Sequence, residues 1–390
     1  MRLAEVEGKA LLRRHGMAVP ESLLLAPGED VPERAAGWPG FVLKAQILEG
    51  GRGKAGLVRV FKHAAEIRDA RRLVLANLED ADTPLLLEEA MPIAREIFVA
   101  VRLDGSRQRL EILIAPQGGE NVEQLAKLVR IPIETTAPTT PDTIYAAIAK
   151  QFPPDLAARL ARYAARLPDI ARAEDLELLE INPLALTADG RLIACDAKVV
   201  RDDSAGFRHD PEEFPISRAL AERALTPLER SARDLGFQLV ETSGDIVLVT
   251  SGAGLAMMMM DLLADHGFRA ASFMDNLRGA PDETMTERLK IARELAARRN
   301  IKAIVFQTVI ASRSLAERID ALIAWISAEP LPKPLFVGIA AGHAATRSMS
   351  TDEAIAKLRA LGVSAFTDPL ALVKALVQAV GTGQPVRPTR

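Results

Sequence analysis

The sequence predicts a two-part protein of mixed α+β and α/β class: an α+β half with antiparallel strand pairs, then a doubly wound parallel sheet. Three observations carry this. After about residue 205, short apolar strands alternate with helical segments, the pattern of a parallel sheet covered on both faces. Before that point, strands follow one another across short turns, which antiparallel pairing permits. The 390 residues also suffice for two or three domains with cores of their own. The expected division is 1–225 and 226–390.

Taken in order, a helix runs from about Leu3 to His15 and ends at Gly16. "MAVPES" is a short extended exit. "GFVLKAQI" and "GLVRVF" form a hairpin with a long basic tip. "HAAEIRDARRLVLANL" has helical period. "PLLLEEAMP" is an apolar strand ending in acids, and "REIFVAVRLD" and "RLEILIAP" are a strand pair. "PPDLAARLARYAARLPDIARAED" is helical. "LELLEINPLALT" is a strand expected to break at Asn182–Pro183. "RLIACDAKVV" is the next strand, joined through an "ADG" turn. "DDSAGFRHDPEEFPISR" is polar, contains two prolines and reads as a linker. The second half gives strands "DIVLVTS", "FRAASFMD", "KAIVFQT", "PLFVGIA" and "VSAFTD", with helices between them. Ligands of such sheets gather at the carboxyl ends of the strands.

Bulk properties exclude some classes. A formal net charge of −3, with 26% charged residues, gives no global pull toward nucleic acid or an anionic membrane. No apolar run reaches the ~20 residues of a membrane span. Cys195 is the only cysteine, so no internal disulfide forms, and a reducing, cytoplasmic setting fits. Its strand position turns it away from the face of Asp196, as a small core residue.

The chemistry concentrates in three places. In "KAQILEGGRGKAG", Lys44 can aim a charge at phosphate, and Gly51, Arg52 and Gly53 let backbone N–H groups approach it closely. In "LLEINP" and "CDAK", Glu180 and Asn182 share a strand face, and Asp196 follows on the next strand. Carboxylate and amide oxygens so placed suit Mg²⁺ shared with a nucleotide's phosphates. In "LLLEEAMPIARE", a strand enters an acidic hinge that could face a purine edge and ribose hydroxyls.

In this order, with "EGKALLRRHGMAVP" in front and "SGAGLAMMMMD" behind, these segments resemble the β subunit of succinyl-CoA synthetase. The resemblance covers nearly the whole chain. It implies an ATP-grasp fold followed by a flavodoxin-like domain. It implies that Lys44, Gly51, Arg52 and Gly53 hold ATP phosphates, that Glu88 sits in the nucleotide hinge, and that Glu96 approaches ribose and phosphate. Asn182 and Asp196 would bind Mg²⁺, with Glu180 as the catalytic carboxylate near the phosphoryl group. The partner would be an α subunit that binds coenzyme A and carries a phosphorylated histidine. A small carboxylic acid would be the substrate, with neither nucleic acid nor membrane involved. Met91 and Pro92 stand where the hinge meets the base, leaving ATP and GTP both open.

The second half departs from the family pattern. Ser251 replaces an asparagine near the acid, and Arg278 enters a loop that has lost glycines. Ile310 and Ala311 replace the glycine pair that opens a helix toward the phosphohistidine, followed by Ser312 and Arg313. These changes leave two readings: sequence drift with succinate unchanged, or an acid other than succinate with a further anionic group held by Arg278, Arg313 or both. His343, in the glycine-flanked "AAGHAATR", resembles the phosphohistidine loop of the α subunit; a loop histidine without chemistry is the other reading. A self-contained ATP-grasp carboxylate–amine ligase and a non-catalytic nucleotide-binding subunit are the competing functions.

Overall fold

Two compact units make up the chain, Met1–Glu222 and Arg223–Arg390. The computed structural model describes residues 1–26, 28–78, 80–118, 127–133, 139–250, 252–276, 284–310, 314–343 and 345–381. Among these, no helix is long and apolar enough to cross a membrane.

The first unit opens with α1 (Glu5–Arg14). A four-stranded antiparallel sheet follows, built from β1 (Ser22–Leu25), β2 (Phe41–Ala45), β3 (Val58–Phe61) and, after α2 (Ile67–Leu75), β4 (Leu85–Glu89). Its order is β1-β4-β2-β3. Alternation along β2 and β4 sends Phe41, Leu43, Leu85 and Leu87 into a core with Ile67 and Val74 of α2. The cross-strand pair Phe41 and Phe61 stacks with centroids 5.2 Å apart. The same alternation turns Lys44 and Glu88 to the opposite face.

A second, larger antiparallel sheet uses β5 (Ile93–Asp104), β6 (Arg109–Ala115), β7 (Val129–Ile133), β8 (Leu176–Thr187), β9 (Leu192–Ala194) and β10 (Lys198–Arg201). Its order is β10-β8-β5-β6-β7, with β9 also on β8. Helices α3 (Pro141–Ile148), α4 (Pro154–Ala164) and α5 (Leu167–Ala173) supply Ile144, Leu160 and Ile170 to its core.

Three expectations need correction here. β8 does not break at Asn182–Pro183. The peptide bond is cis, and the ladder to β5 shifts register between Ile97 and Val99, so an irregularity absorbs the proline and the strand continues. "RLIACDAKVV" is two strands rather than one, and Cys195, Asp196 and Ala197 lie in the gap. The polar segment after residue 205 is no loose linker. It contains the helix α6 (Pro215–Ala224), and its Phe214 is buried under the Arg201 guanidinium, 4.6 Å from the ring centroid.

α6 is tied to α1 by reciprocal capping. Ile216 and Ser217 each donate a backbone N–H to Glu7, at 2.8 Å. The Ser217 hydroxyl donates to Glu7 and accepts from the Ala4 N–H at 2.7 Å. Each helix start thus finds in the other the side-chain partner that its own N-cap lacks.

The second unit begins with α7 (Pro227–Asp234) and β11 (Phe237–Glu241). Then β12 (Ile246–Thr250), α8 (Ala253–Asp265), β13 (Ser272–Asn276), α9 (Thr284–Ala296), β14 (Ala303–Ile310), α10 (Leu315–Ala328), β15 (Leu335–Ala341), α11 (Thr351–Ala360), β16 (Ser364–Phe366) and α12 (Pro369–Val380) alternate. The parallel sheet has order β12-β14-β15-β16. α8 and α12 cover one face through Met259, Leu263, Leu372 and Leu376. α9, α10 and α11 cover the other through Leu289, Leu322 and Leu358. β13 pairs antiparallel with β11 instead of extending the parallel ladder. Side chains bridge it to β12: the Ser272 hydroxyl accepts from the Leu248 N–H and donates to its carbonyl, both at 3.1 Å.

Candidate functional site

Lys44 on β2 and Glu88 on β4 are diagonal neighbours, because Lys44 pairs with Leu86 and Val42 with Glu88. Two residues of α1 meet them. Glu5 and Lys9 are one helical turn apart and both buried. Gly8 permits this close seating, since a Cβ there would stand 3.1 Å from Val199 and 3.3 Å from the Ala197 carbonyl.

Lys9 Nζ lies 2.5 Å from Glu88 Oε1 and 2.6 Å from Glu5 Oε1. Lys44 Nζ lies 2.7 Å from Glu5 Oε1 and 2.6 Å from Glu88 Oε2. Both ammonium groups donate to the Cys195 carbonyl, at 2.8 and 2.7 Å. Arg52 reaches down from the glycine loop, 2.5 Å from Glu5 Oε2 and 2.7 Å from Asp196 Oδ1. Three carboxylates therefore face three cations.

Burial taken alone would raise the Glu5 pKa, but Lys44, Lys9 and Arg52 outweigh it and hold Glu5 well below the usual carboxylate range. Burial would lower Lys44, yet Glu5, Glu88 and Asp196 together push it upward. Asp196 is raised, first by burial and then by Glu5, with Arg52 and Lys44 opposing. Burial lifts the Cys195 thiol to about 11. Its backbone, rather than its side chain, serves the cluster. The expectation that Cys195 is a core residue is corrected: it is half-buried, in the gap between β9 and β10.

The loop above is open where a ligand would approach. A Cβ built at Gly50, Gly51 or Gly53 would meet nothing within 4 Å. Gly51, at φ +78, takes a conformation that side chains disfavour.

Asn182 and Asp196 fall opposite one another. Leu184 pairs with Ala194 and Glu180 with Lys198, so position 182 faces 196 across the gap between β9 and β10. The Cys195 N–H donates to the Pro183 carbonyl at 3.0 Å and holds that alignment. Gly118 brings in Glu96: a Cβ there would stand 3.1 Å from Asn182 Oδ1 and 3.3 Å from the Glu96 Cβ. Glu180 faces the same gap from β8, with Lys198 Nζ 3.9 Å from its carboxylate. Among the described residues no group of three or more His, Cys, Asp and Glu side chains converges as a metal cage. An amide oxygen and one carboxylate, already holding the cationic Arg52, do fit Mg²⁺ that takes its other ligands from phosphate and water.

The structure thus gathers Lys44, Arg52, Glu88 and Asp196 into one ion cluster, and Asn182, Glu96 and Gly118 into an adjacent contact. Both oxygens of Glu88 are engaged by lysines. Glu5 and Lys9 complete the cluster, and sequence reasoning missed them. Their signal was present: Glu5, Lys9 and Leu12 form one helical stripe, and charges on an apolar stripe are buried for a reason. Ser251, Arg278, Ala311, Ser312 and Arg313 lie outside the described residues. His343 is exposed, and its carbonyl accepts from the Thr346 hydroxyl at 3.1 Å.

An ATP-grasp domain profile matches residues 2–186. The chain is 33% identical to a succinate–CoA ligase [ADP-forming] subunit beta of Desulfurococcus amylolyticus, over 86% of this chain and 89% of the relative. It is equally identical to the Acidithiobacillus ferrooxidans protein of the same name, over 98% of this chain and 100% of the relative. Among solved structures, an ATP citrate lyase from Methanothrix soehngenii, in complex with citrate and coenzyme A, shares the fold. It has a TM-score of 0.67 and 17% identity, covering 97% of this chain and 99% of that one. The chain belongs to the succinate–CoA ligase (ADP-forming) β subunit family, acid–thiol ligases built on an ATP-grasp fold and a doubly wound α/β domain.

Proposed function

We propose that this chain is the nucleotide-handling β subunit of an ADP-forming acid–CoA ligase that uses ATP with Mg²⁺. Residues 1–225 act as the nucleotide-binding domain and 226–390 as the acid–CoA ligase domain. The observation that carries the reading is the neutral cluster of Glu5, Lys9, Lys44, Arg52, Glu88 and Asp196 beneath an open glycine loop. When Lys44 and Arg52 turn to phosphate oxygens, Lys9 stays on Glu5 and Glu88, so those two carboxylates keep one cation between them. The open Gly51–Gly53 backbone supplies N–H donors to the same phosphates. Asn182 and Asp196 would hold Mg²⁺, which neutralises phosphate charge during transfer. Glu180 and Glu96 border that place as the carboxylates nearest the phosphoryl group and ribose.

In this reading the γ-phosphoryl group passes from ATP to a histidine of an α partner, releasing ADP. The phosphohistidine gives it up to a carboxylate, forming an acyl phosphate. Coenzyme A sulfur then displaces phosphate to give the thioester. The acid is a small carboxylate with a further anionic group, which Arg278 or Arg313 would pair.

The test is ATP-dependent phosphorylation of the α partner by the purified pair. Asp196→Ala should reduce it at least a hundredfold while circular dichroism still reports a folded chain. Near-normal phosphorylation by that variant removes the metal assignment. Acyl-CoA formed by the chain without a partner would overturn the subunit reading.

A further inference from the structure

Gln307 lies near the carboxyl edge of the parallel sheet, and its side-chain oxygen is buried without a hydrogen-bond partner among the described residues. It stands in register with Thr250 of β12 and Gly338 of β15. All three belong to the face covered by α8 and α12, one layer beyond Leu248, Val305 and Phe336, which close the apolar core. The next layer toward the carboxyl edge, Val309 and Ala340, is exposed. Gln307 is therefore the last buried layer before the edge where α/β sheets bind ligands.

Gln307 is 1% exposed, and its Oε1 accepts no hydrogen bond among the described residues. The amide leans sideways over β15, into the space a side chain at 338 would occupy. A Cβ built on Gly338 would stand 1.6 Å from Oε1 and 2.9 Å from Nε2. The nearby Thr250 hydroxyl donates to the Met274 carbonyl at 3.2 Å, and Arg288 donates to the Thr250 carbonyl at 2.9 Å. Neither hydrogen bond goes to Gln307. A buried polar group left unmatched by its own protein calls for an explanation, and a ligand's group is one.

We infer that Gln307 reads a hydroxyl group on the carboxylic acid substrate; the inference rests on the second unit's being the acid-binding domain. A carboxylate offers only acceptors and would leave Oε1 unmatched. A hydroxyl donates and accepts, so it satisfies Oε1 and can also take the Nε2–H. With the amide rotated by half a turn the buried atom would be the Nε2–H₂ donor, which a hydroxyl oxygen also satisfies, so a hydroxyl matches either placement. The substrate class is then a hydroxy-substituted carboxylic acid. Sites that hydrogen-bond a substrate hydroxyl discriminate strongly against the analogue lacking it, because the site's polar group is stranded.

The experiment uses the complete enzyme with its α partner and pairs of acids differing by one hydroxyl: 2-hydroxysuccinate against succinate, and lactate against propionate. Wild type should favour the hydroxy acid of the better pair at least tenfold in kcat/KM, and Gln307→Met should lower that ratio at least tenfold. Partner phosphorylation by ATP, read in the same samples, reports whether the nucleotide half works. Should Gln307→Met lose phosphorylation by misfolding, Gln307→Asn, which keeps an amide one methylene short, should still lower the ratio. A wild-type ratio near one, or a ratio untouched in the folded variant, overturns the inference while leaving the ligase reading intact. Phosphorylation of the partner with no acid consumed overturns both.

Discussion

Lys9 is the residue whose environment departs most from what its chemistry usually tolerates. Its side chain is 1% exposed and is held by Glu5, Glu88 and the Cys195 carbonyl. Removing one partner from a buried ion network leaves the other charges uncompensated, which costs about 3–5 kcal/mol. Lys9→Met should therefore lower unfolding free energy by about that amount in denaturant titration, although methionine fills nearly the same volume. A loss below about 1 kcal/mol would mean that Lys44 and Arg52 between them suffice for Glu5 and Glu88. Lys44 and Arg52 were legible in sequence because glycines flag a loop that a ligand approaches. Glu5 and Lys9 were not, because an amphipathic reading assigns helical charges to water. The contact that decides otherwise comes from β2 and β4, tens of residues away.

Among elements, the α1–α6 pair shows how a segment that looks like linker becomes structure. Its fastening is polar and local: Glu7 takes two N–H groups of α6, and Ser217 returns one to α1. Ser217→Ala should cost about 1 kcal/mol, the usual worth of an N-cap. Because α1 carries Glu5 and Lys9, the same variant should also weaken ATP binding in a calorimetric titration. Unchanged affinity would show that α1 keeps its seat without this clasp. The strands of the second unit were legible because each is a short apolar run between helices. β11 was not foreseen, since "FQLVE" is short, buries only Phe237 and Leu239, and pairs with β13 alone among the described residues. The continuity of β8 through Pro183 was hidden because proline is read as a stop. Here a register shift opposite it keeps the flanking ladder intact.

At the scale of the whole molecule, each unit closes apolar cores of its own: Leu160 lies in one of the first unit's, Leu322 in one of the second's, both fully buried. Leu→Ala in such a place costs about 2.7–5 kcal/mol. Scanning calorimetry of Leu160→Ala and Leu322→Ala should shift different parts of the unfolding profile. Identical shifts by both would show that the chain melts as one cooperative body. The division into an α+β half and an alternating α/β half was legible because the two obey different sequence periods. The place of Gln307 was less so, because it is an ordinary polar residue within "IVFQTVI" until the register puts it over a glycine. One feature of the ion cluster has a practical use. The lysines bind the carbonyl at position 195, so the thiol contributes no hydrogen bond to them, and with a pKa near 11 it stays protonated at neutral pH. Cys195→Ala would therefore yield a cysteine-free chain with the clustered charges in place. A single reporter thiol introduced on either unit would then carry a fluorophore or spin label with no competing site, so that motion during turnover can be watched directly.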